Sequence, residues 1–159
     1  MERQQQRSKH SAGVTGRPVD IRVVTTSDSH RPFELKWRME GESHWEQRNV
    51  ELPPEKKHHH LRFRIVDDGN LGLRFKATPE QSFGAHLSDD CPAPGSNGDG
   101  EIDFKKSRVM PNGELVIWDC NHKECNLTYA LFFHAQKGDM KFDPIIKNSG
   151  GAPPTVDDG

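Results

Sequence analysis

The feature that most constrains this chain is a strict alternation of apolar and polar residues over short segments. The clearest example is Phe33–Met39, in which Phe, Leu, Trp and Met alternate with Glu, Lys and Arg. Successive side chains of a β-strand point to opposite faces, so each such segment buries one face and exposes the other. The same period runs through residues 19–23, 61–65, 71–75 and 127–133, and no long segment has a helical period.

These segments predict an all-β domain, a single antiparallel β-sandwich of about seven to nine short strands, of Ig-like or cupredoxin-like type. Leu115–Trp118 is continuously apolar, which is typical of a buried central strand. Asp143-Pro144 interrupts the last strand, which predicts an edge position or a bulge. The alternative is an α+β domain in which Glu40–Glu51 is helical.

The segment 60–77 carries the signature of a β-hairpin. Between its two alternating halves lies Asp67-Asp68-Gly69-Asn70, which contains a favoured turn pair. If the hairpin forms, four basic side chains become cross-strand neighbours: Arg62, Arg64, Arg74 and Lys76.

The apolar residues are concentrated in the middle of the chain, although they form only 31% of the whole. We expect one β-sandwich domain over residues 18–148, which is long enough to fold without disulfides or metal. Residues 1–17 are rich in Gln, Arg, Ser and Gly and predict a disordered basic arm. Residues 149–159 predict a disordered C-terminal tail.

The formal net charge of −2 gives no global electrostatic argument for binding nucleic acid or a membrane. No apolar run is long enough to span a bilayer, and the first residues are polar, unlike a secretory signal. We therefore expect a soluble, cytoplasmic protein with no membrane partner. Its three cysteines, an odd number, are expected to be free thiols, although a local bridge between Cys120 and Cys125 is an alternative.

Two thiols and an imidazole lie close together in a predicted turn: Cys120, His122 and Cys125. Thiolate and imidazole are the usual ligands of zinc, they also suit copper, and cysteines a few residues apart can bind one ion. The turn is therefore a candidate Zn or Cu site, to which Cys91 or His134 could add a ligand. The alternative is that these are turn cysteines without a function.

Two further segments contain residue types that bind metals. His58 and His60 would share one face of a strand. Asn97–Asp103 is similar to the middle of an EF-hand calcium loop, but Gly95 and Lys106 stand where acidic ligands are needed. We interpret the first segment as an exposed polar strand end and the second as an acidic turn.

The segment Tyr129–His134, followed by Met140, resembles the last ligand loop of cupredoxins. A blue-copper site needs a cysteine between the aromatic strand and the histidine. Phe132 and Phe133 occupy that stretch, so the resemblance implies a similar sandwich architecture without the copper site.

The polar faces of the predicted strands are biased towards positive charge. The residues concerned are Arg22, Lys36, Arg38, Arg62, Arg64, Arg74 and Lys76. Adjacent like charges on a sheet are mildly destabilising, so this face needs acidic partners or an anionic ligand. A solvated face that also prevents edge aggregation is the alternative. We do not expect nucleic acid as a partner, because the aromatic residues that would stack on bases are predicted to lie on the apolar face.

The sequence contains no nucleophile elbow, zinc-protease motif or phosphate-binding glycine loop. We therefore expect a non-catalytic binding or protein-interaction module rather than an enzyme. Its contact surface is predicted in the loops 91–100 and 119–126, because loops on a rigid sandwich are common recognition sites. The stretch from His60 to Gly151 is similar in pattern to small bacterial proteins, which implies a small soluble protein of that type. The alternative is a metal-binding β-sandwich that uses the cysteine–histidine turn.

Overall fold

The computed structural model describes residues 15–53, 57–87, 102–121, 125–142 and 145–148. This part of the chain forms eleven β-strands and one short helix, so the all-β prediction is confirmed, with more strands than expected. The elements are β1 (Val19–Thr25), β2 (Phe33–Met39), β3 (Val50–Glu51), β4 (His59–Val66), β5 (Arg74–Phe75), α1 (Pro79–Ser82), β6 (Phe83–Leu87), β7 (Ile102–Val109), β8 (Leu115–Asp119), β9 (Cys125–His134), β10 (Met140–Phe142) and β11 (Ile145–Asn148).

The first of the two sheets contains five strands in the order β2-β1-β4-β8-β7. Its neighbouring strands are antiparallel except for β1 and β4, which run parallel with Val19 beside Leu61 and Ile21 beside Phe63. β8 lies between β4 and β7, which confirms the central position predicted for Leu115–Trp118.

The second sheet is arranged around β9. The strands β5, β6, β10 and β11 all pair with β9 in the antiparallel sense, and β3 pairs with β11 in parallel. The prediction of an entirely antiparallel fold is therefore wrong at two pairings, β1 with β4 and β3 with β11. Both join strands that are distant in sequence, and parallel strands need such long connections.

Side chains from both sheets form one hydrophobic core. In β1 the odd-numbered residues are buried and the even-numbered residues are half-buried, as the alternation predicts. Aromatic rings fill the centre: Phe83 stacks on Tyr129 with 4.9 Å between ring centres, and Phe63 contacts both rings. Other fully buried members of the core are Leu52, Leu61, Ile102, Leu115, Ile117, Leu131 and Phe133.

The hairpin predicted over residues 60–77 does not form. β4 ends at Val66, and both of its edges are already paired, one with β1 and the other with β8. The chain crosses instead to the second sheet, where β5 pairs with β9. Because β4 has no edge left for a returning strand, the turn at Asp67–Asn70 leads out of the first sheet rather than back along it.

The Asp67 carboxylate stabilises this crossover. It accepts hydrogen bonds from the three consecutive backbone N–H groups of residues 71–73 and, at 2.8 Å, from the Thr25 hydroxyl. Burial alone would raise the pKa of Asp67, but the hydrogen bonds outweigh burial and lower it. The carboxylate therefore joins the last residue of β1 to the loop that follows β4.

The helical alternative for Glu40–Glu51 is not observed, because Glu46 forms a β-bridge with Trp37 and the segment ends in β3. At the N-terminal side, the Gly16 N–H donates a hydrogen bond of 2.7 Å to the His58 carbonyl. Several segments singled out from the sequence lie outside the described residues, namely 1–14, 88–101, 143–144 and 149–159.

We expect Asp67→Asn to lower the free energy of unfolding by about 1–3 kcal/mol at neutral pH, because an amide cannot accept all the hydrogen bonds that the carboxylate accepts. The folded pKa of Asp67 is below its usual value, so its contribution is present at neutral pH and is lost as the pH falls through the folded pKa. The difference from the unmodified protein should therefore shrink in acid. Urea unfolding at several pH values measures this difference.

The matched control for that experiment is Asp68→Asn, which removes the same charge from an exposed neighbour. Equal destabilisation by both substitutions would show that the charge, and not the hydrogen-bonded geometry of Asp67, is responsible.

Tyr129 is the only tyrosine of the chain, and its buried hydroxyl has no hydrogen-bond partner among the described residues. Burial raises the pKa of this phenol above its usual value of 10.0. The tyrosine ionises more readily in the unfolded state than in the folded state, so the stability of the fold decreases as the pH rises above about 10. We expect Tyr129→Phe to abolish this alkaline loss and to raise stability at neutral pH by roughly 1 kcal/mol, because it removes a desolvated hydroxyl.

Thermal unfolding against pH measures both effects, and ultraviolet titration of the unmodified protein reports the ionisation of Tyr129 alone. A folded protein whose tyrosine ionises at the ordinary pKa would contradict the prediction.

Candidate functional site

The predicted metal ligands lie at the connection between the two sheets. Cys120 directly follows β8 in the first sheet and is buried, and Cys125 is the first residue of β9 in the second sheet. His122 and the side chain of Cys125 fall outside the described residues, as does Cys91. Convergence of these ligands therefore stays a prediction.

Within the described ranges, no cluster of three or more His, Cys, Asp or Glu side chains could hold a metal ion. His58 and His60 do approach the same side chain, the Trp118 ring, with 5.2 and 4.4 Å between ring centres. Burial, followed by the positive charges of Arg108 and Arg62, lowers the pKa of His60. The two histidines are thus packed against an indole, and His60 is kept neutral near physiological pH.

The outer face of the first sheet is the side opposite the core, and it carries most of the predicted basic residues. On β1, β2 and β4 most of the residues that alternate with the buried ones are charged. The strand register places Arg22 between Lys36 and Arg64, and it places Asp20 between Arg38 and Arg62. The face therefore has one row with three positive charges and a neighbouring row with a negative charge at its centre.

The like-charge contacts predicted from the hairpin are wrong. Arg74 lies in β5 of the second sheet, where its register partner is His134. Lys76 donates a hydrogen bond of 2.7 Å to Asp139. Like charges do become neighbours, but they do so in the row formed by β1, β2 and β4, because β1 rather than β5 lies beside β4.

Asp20 compensates the charges of two arginines. Its carboxylate accepts hydrogen bonds from Nε and Nη2 of Arg62, and it lies 3.6 Å from Nε of Arg38. A second carboxylate, Glu40, is 3.1 Å from Arg62. Burial would lower the pKa of the Arg62 guanidinium, but the hydrogen bonds to Asp20 and Glu40 raise it. Arg38 and Arg62 are therefore fixed members of an ion-pair network.

The row Lys36, Arg22 and Arg64, which we call the cation row, lacks such compensation. Among the residues that the structure describes, none of the three has a carboxylate within 4 Å. The Arg22 guanidinium instead lies over the Trp45 ring, 4.2 Å from its centre. Arg64 is exposed. Three adjacent strands thus present three positive charges that have no carboxylate within 4 Å in the described part of the chain.

A groove of about 280 Å³ lies alongside this row. Its lining includes four guanidinium groups, two carboxylates and one indole: Asp20, Ile21, Arg22, Arg38, Trp45, Arg62, Arg64 and Glu114. Trp45 is held there by two cations, because Arg38 also lies over its ring, at 4.3 Å. Guanidinium groups bind carboxylates and phosphates through paired hydrogen bonds, so this groove can bind an oxyanion.

The sequence-based placement of the aromatic residues is wrong for two tryptophans. Trp45 lines the groove on the outer face, and Trp118 also points outward, beside His60. The Lys106 ammonium lies 4.7 Å from the centre of the Trp118 ring. The outward orientation of Trp118 could have been predicted only from its position in β8, where it alternates with the inward-facing Ile117 and Asp119. Trp45 lies between strands, where alternation gives no signal.

No protein-family model matches the chain, and no curated protein matches it. Within the described part of the chain, no helix is long and apolar enough to cross a membrane.

For the metal site, we expect protein purified without an added histidine tag to contain near-stoichiometric zinc or copper, and Cys120→Ser to lose it, because thiolate is a principal ligand of both ions. Elemental analysis measures the metal content. The control is His44→Ala, which removes a largely exposed histidine between β2 and β3. A metal-free protein whose stability is unaffected by chelators would contradict the prediction.

Proposed function

We propose that the protein is a non-catalytic binding module, a β-sandwich of Ig-like or cupredoxin-like type that binds an anionic partner on the outer face of its first sheet. The observation that carries this proposal is the cation row, Lys36, Arg22 and Arg64, in which no residue has a carboxylate within 4 Å among the described residues. Two of its members, Arg22 and Arg64, line the groove.

The energetics of the sheet support a ligand at this row. Neighbouring strands lie about 4.8 Å apart, and like charges at directly opposite positions repel. Asp20 relieves this repulsion for Arg38 and Arg62 in the adjacent row. An oxyanion bound between Arg22 and Arg64 would supply the same compensation at a position where the described residues place no carboxylate within 4 Å.

The alternative explanation, protection of a sheet edge, accounts for Lys36 on the edge strand β2 but not for Arg22 and Arg64. Basic residues prevent aggregation when they lie on edge strands, which have unpaired backbone groups. β1 and β4 are interior strands, each paired along both edges. Arg22 and Arg64 therefore have no exposed edge to protect.

A protein partner that binds the loops 91–100 and 119–126 is a separate proposal, and the geometry of the basic face neither supports nor opposes it. The first loop lies outside the described residues, and only the ends of the second are described. The basic face is the better-supported surface because its charges, register and groove are all defined.

The proposal predicts that the protein binds inorganic polyphosphate at low salt and releases it as the salt concentration rises. We expect the double variant Arg22→Ala/Arg64→Ala to weaken this binding by about tenfold or more, because two charge-assisted contacts are lost. Tryptophan fluorescence or calorimetric titration gives the dissociation constants. Absence of binding by the unmodified protein at low salt would overturn the proposal.

The matched control is Arg31→Ala/Lys137→Ala, which removes two exposed positive charges elsewhere in the fold. It is expected to retain most of the affinity, and an equal loss would mean that only total charge matters.

Asp20→Asn acts in the opposite direction, because it frees Arg38 and Arg62 for the ligand. It should therefore tighten binding, at a cost in stability of up to about 1 kcal/mol for a partly exposed ion pair.

A further inference from the structure

We propose that the anionic partner is a single-stranded nucleic acid, which lies across the outer face of the first sheet with bases stacked on Trp45 and Trp118. This inference rests on the anion-binding function proposed above. It adds the chemical class of the ligand, which the cations alone do not specify.

The position of two tryptophans favours a nucleic acid as the ligand. Two of the three tryptophans in the chain are on the polar side of the sheet, where each remains half-buried. Each also has a cation against its ring: Arg22 and Arg38 for Trp45, and Lys106 for Trp118. Nucleic-acid-binding surfaces that accept single strands combine aromatic stacking platforms with basic side chains in this way.

The spacing of these groups favours a nucleic acid as well. Trp45 lies over side chains of β1 and β2, Trp118 belongs to β8, and β4 runs between them. At the usual strand separation, the two indoles are about 10–15 Å apart across the sheet. Arg62 and Arg64 of β4 occupy the interval. Both rings and the uncompensated Arg64 therefore lie on one face, where a strand could place bases on the rings and a phosphate near Arg64, while Arg62 stays paired with Asp20 and Glu40.

The ring positions also distinguish single strands from duplex. In a duplex the bases are stacked on one another, and a protein reads only their edges through the grooves. An indole on an open sheet face can reach the flat side of a base only when that base is unpaired. The face therefore favours a single strand over a double helix.

Other anionic partners would use only part of this surface. Inorganic polyphosphate or an acidic peptide would contact the cation row but would gain little from two indoles. Both indoles keep some exposed surface beside the cations that lie against them, and an aromatic ring of a ligand could cover that surface. A ligand that carries both phosphates and aromatic rings uses the cations and the tryptophans together.

The test compares three labelled or competing probes at low salt: a single-stranded oligonucleotide of roughly twelve nucleotides, an abasic strand of the same length, and polyphosphate of equal charge. We expect the oligonucleotide to bind about tenfold or more tightly than the abasic strand, measured by fluorescence anisotropy. Trp45→Leu is expected to remove most of that preference and to leave polyphosphate binding nearly unchanged. Trp45→Phe, which keeps a stacking ring, should restore the preference.

A second set of binding measurements, with the same three probes, tests the role of the cation row. Arg22→Ala/Arg64→Ala is expected to weaken binding of all three probes. It should also reduce the slope of log affinity against log salt for the oligonucleotide by about 1.4, since each phosphate contact on a single strand contributes about 0.7. Circular dichroism and urea unfolding of each variant confirm that the fold is retained.

The outcomes separate this inference from the proposed function. Equal binding of the intact and abasic strands, or no effect of Trp45→Leu, overturns the nucleic-acid inference while the anion-binding function stands. Polyglutamate and a duplex of the same sequence serve as further competitors, and tighter binding of either one than of the single strand overturns the inference as well. If none of the anions binds at low salt, the proposed function itself fails.

Discussion

The parallel pairing of β1 with β4 determines both the core and the charged face. Its register places Val19 beside Leu61 and Ile21 beside Phe63, and all four side chains are buried. Because side chains alternate between faces, the same register places Arg22 beside Arg64 on the outside. A slip of one residue would turn arginines into the core, so burial of the apolar row strongly specifies the alignment.

The same register decides which arginines are compensated. Asp20 lies beside Arg62, and a slip of two residues would leave the core face apolar but move this carboxylate to Arg64. The observed alignment thus creates two unlike rows from similar residues, an ion-paired row around Asp20 and the cation row around Arg22. The crossover stabilises this alignment, because the Asp67 carboxylate, just after β4, accepts a hydrogen bond from the Thr25 hydroxyl at the end of β1.

The positions and buried faces of the strands could largely be predicted from the local sequence. The errors in the predicted strand pairing have a common physical origin. Alternation correctly located β1, β2 and β4 and separated their buried residues from their charged ones. It could not reveal that β4 pairs with β1 and β8, because pairing depends on which distant strands share the core. The hairpin at 60–77 was wrong for this reason, and so were the neighbours assigned to the arginines. Trp45 lies between strands, so its contact with Arg22 could not be inferred from a period of two.

The charge distribution implies that short-range contacts, rather than long-range electrostatic attraction, would provide most of the binding affinity at this surface. The chain has a formal net charge of −2, so its long-range field does not attract an anion, and screening at physiological salt limits charge effects to about 8 Å. Asp20 and Glu114 lie within the groove and reduce its local potential further. Positive charge alone would therefore give weak and salt-sensitive binding. In the proposed complex, stacking on Trp45 would not depend on the field and would supply the part of the affinity that the cation row cannot.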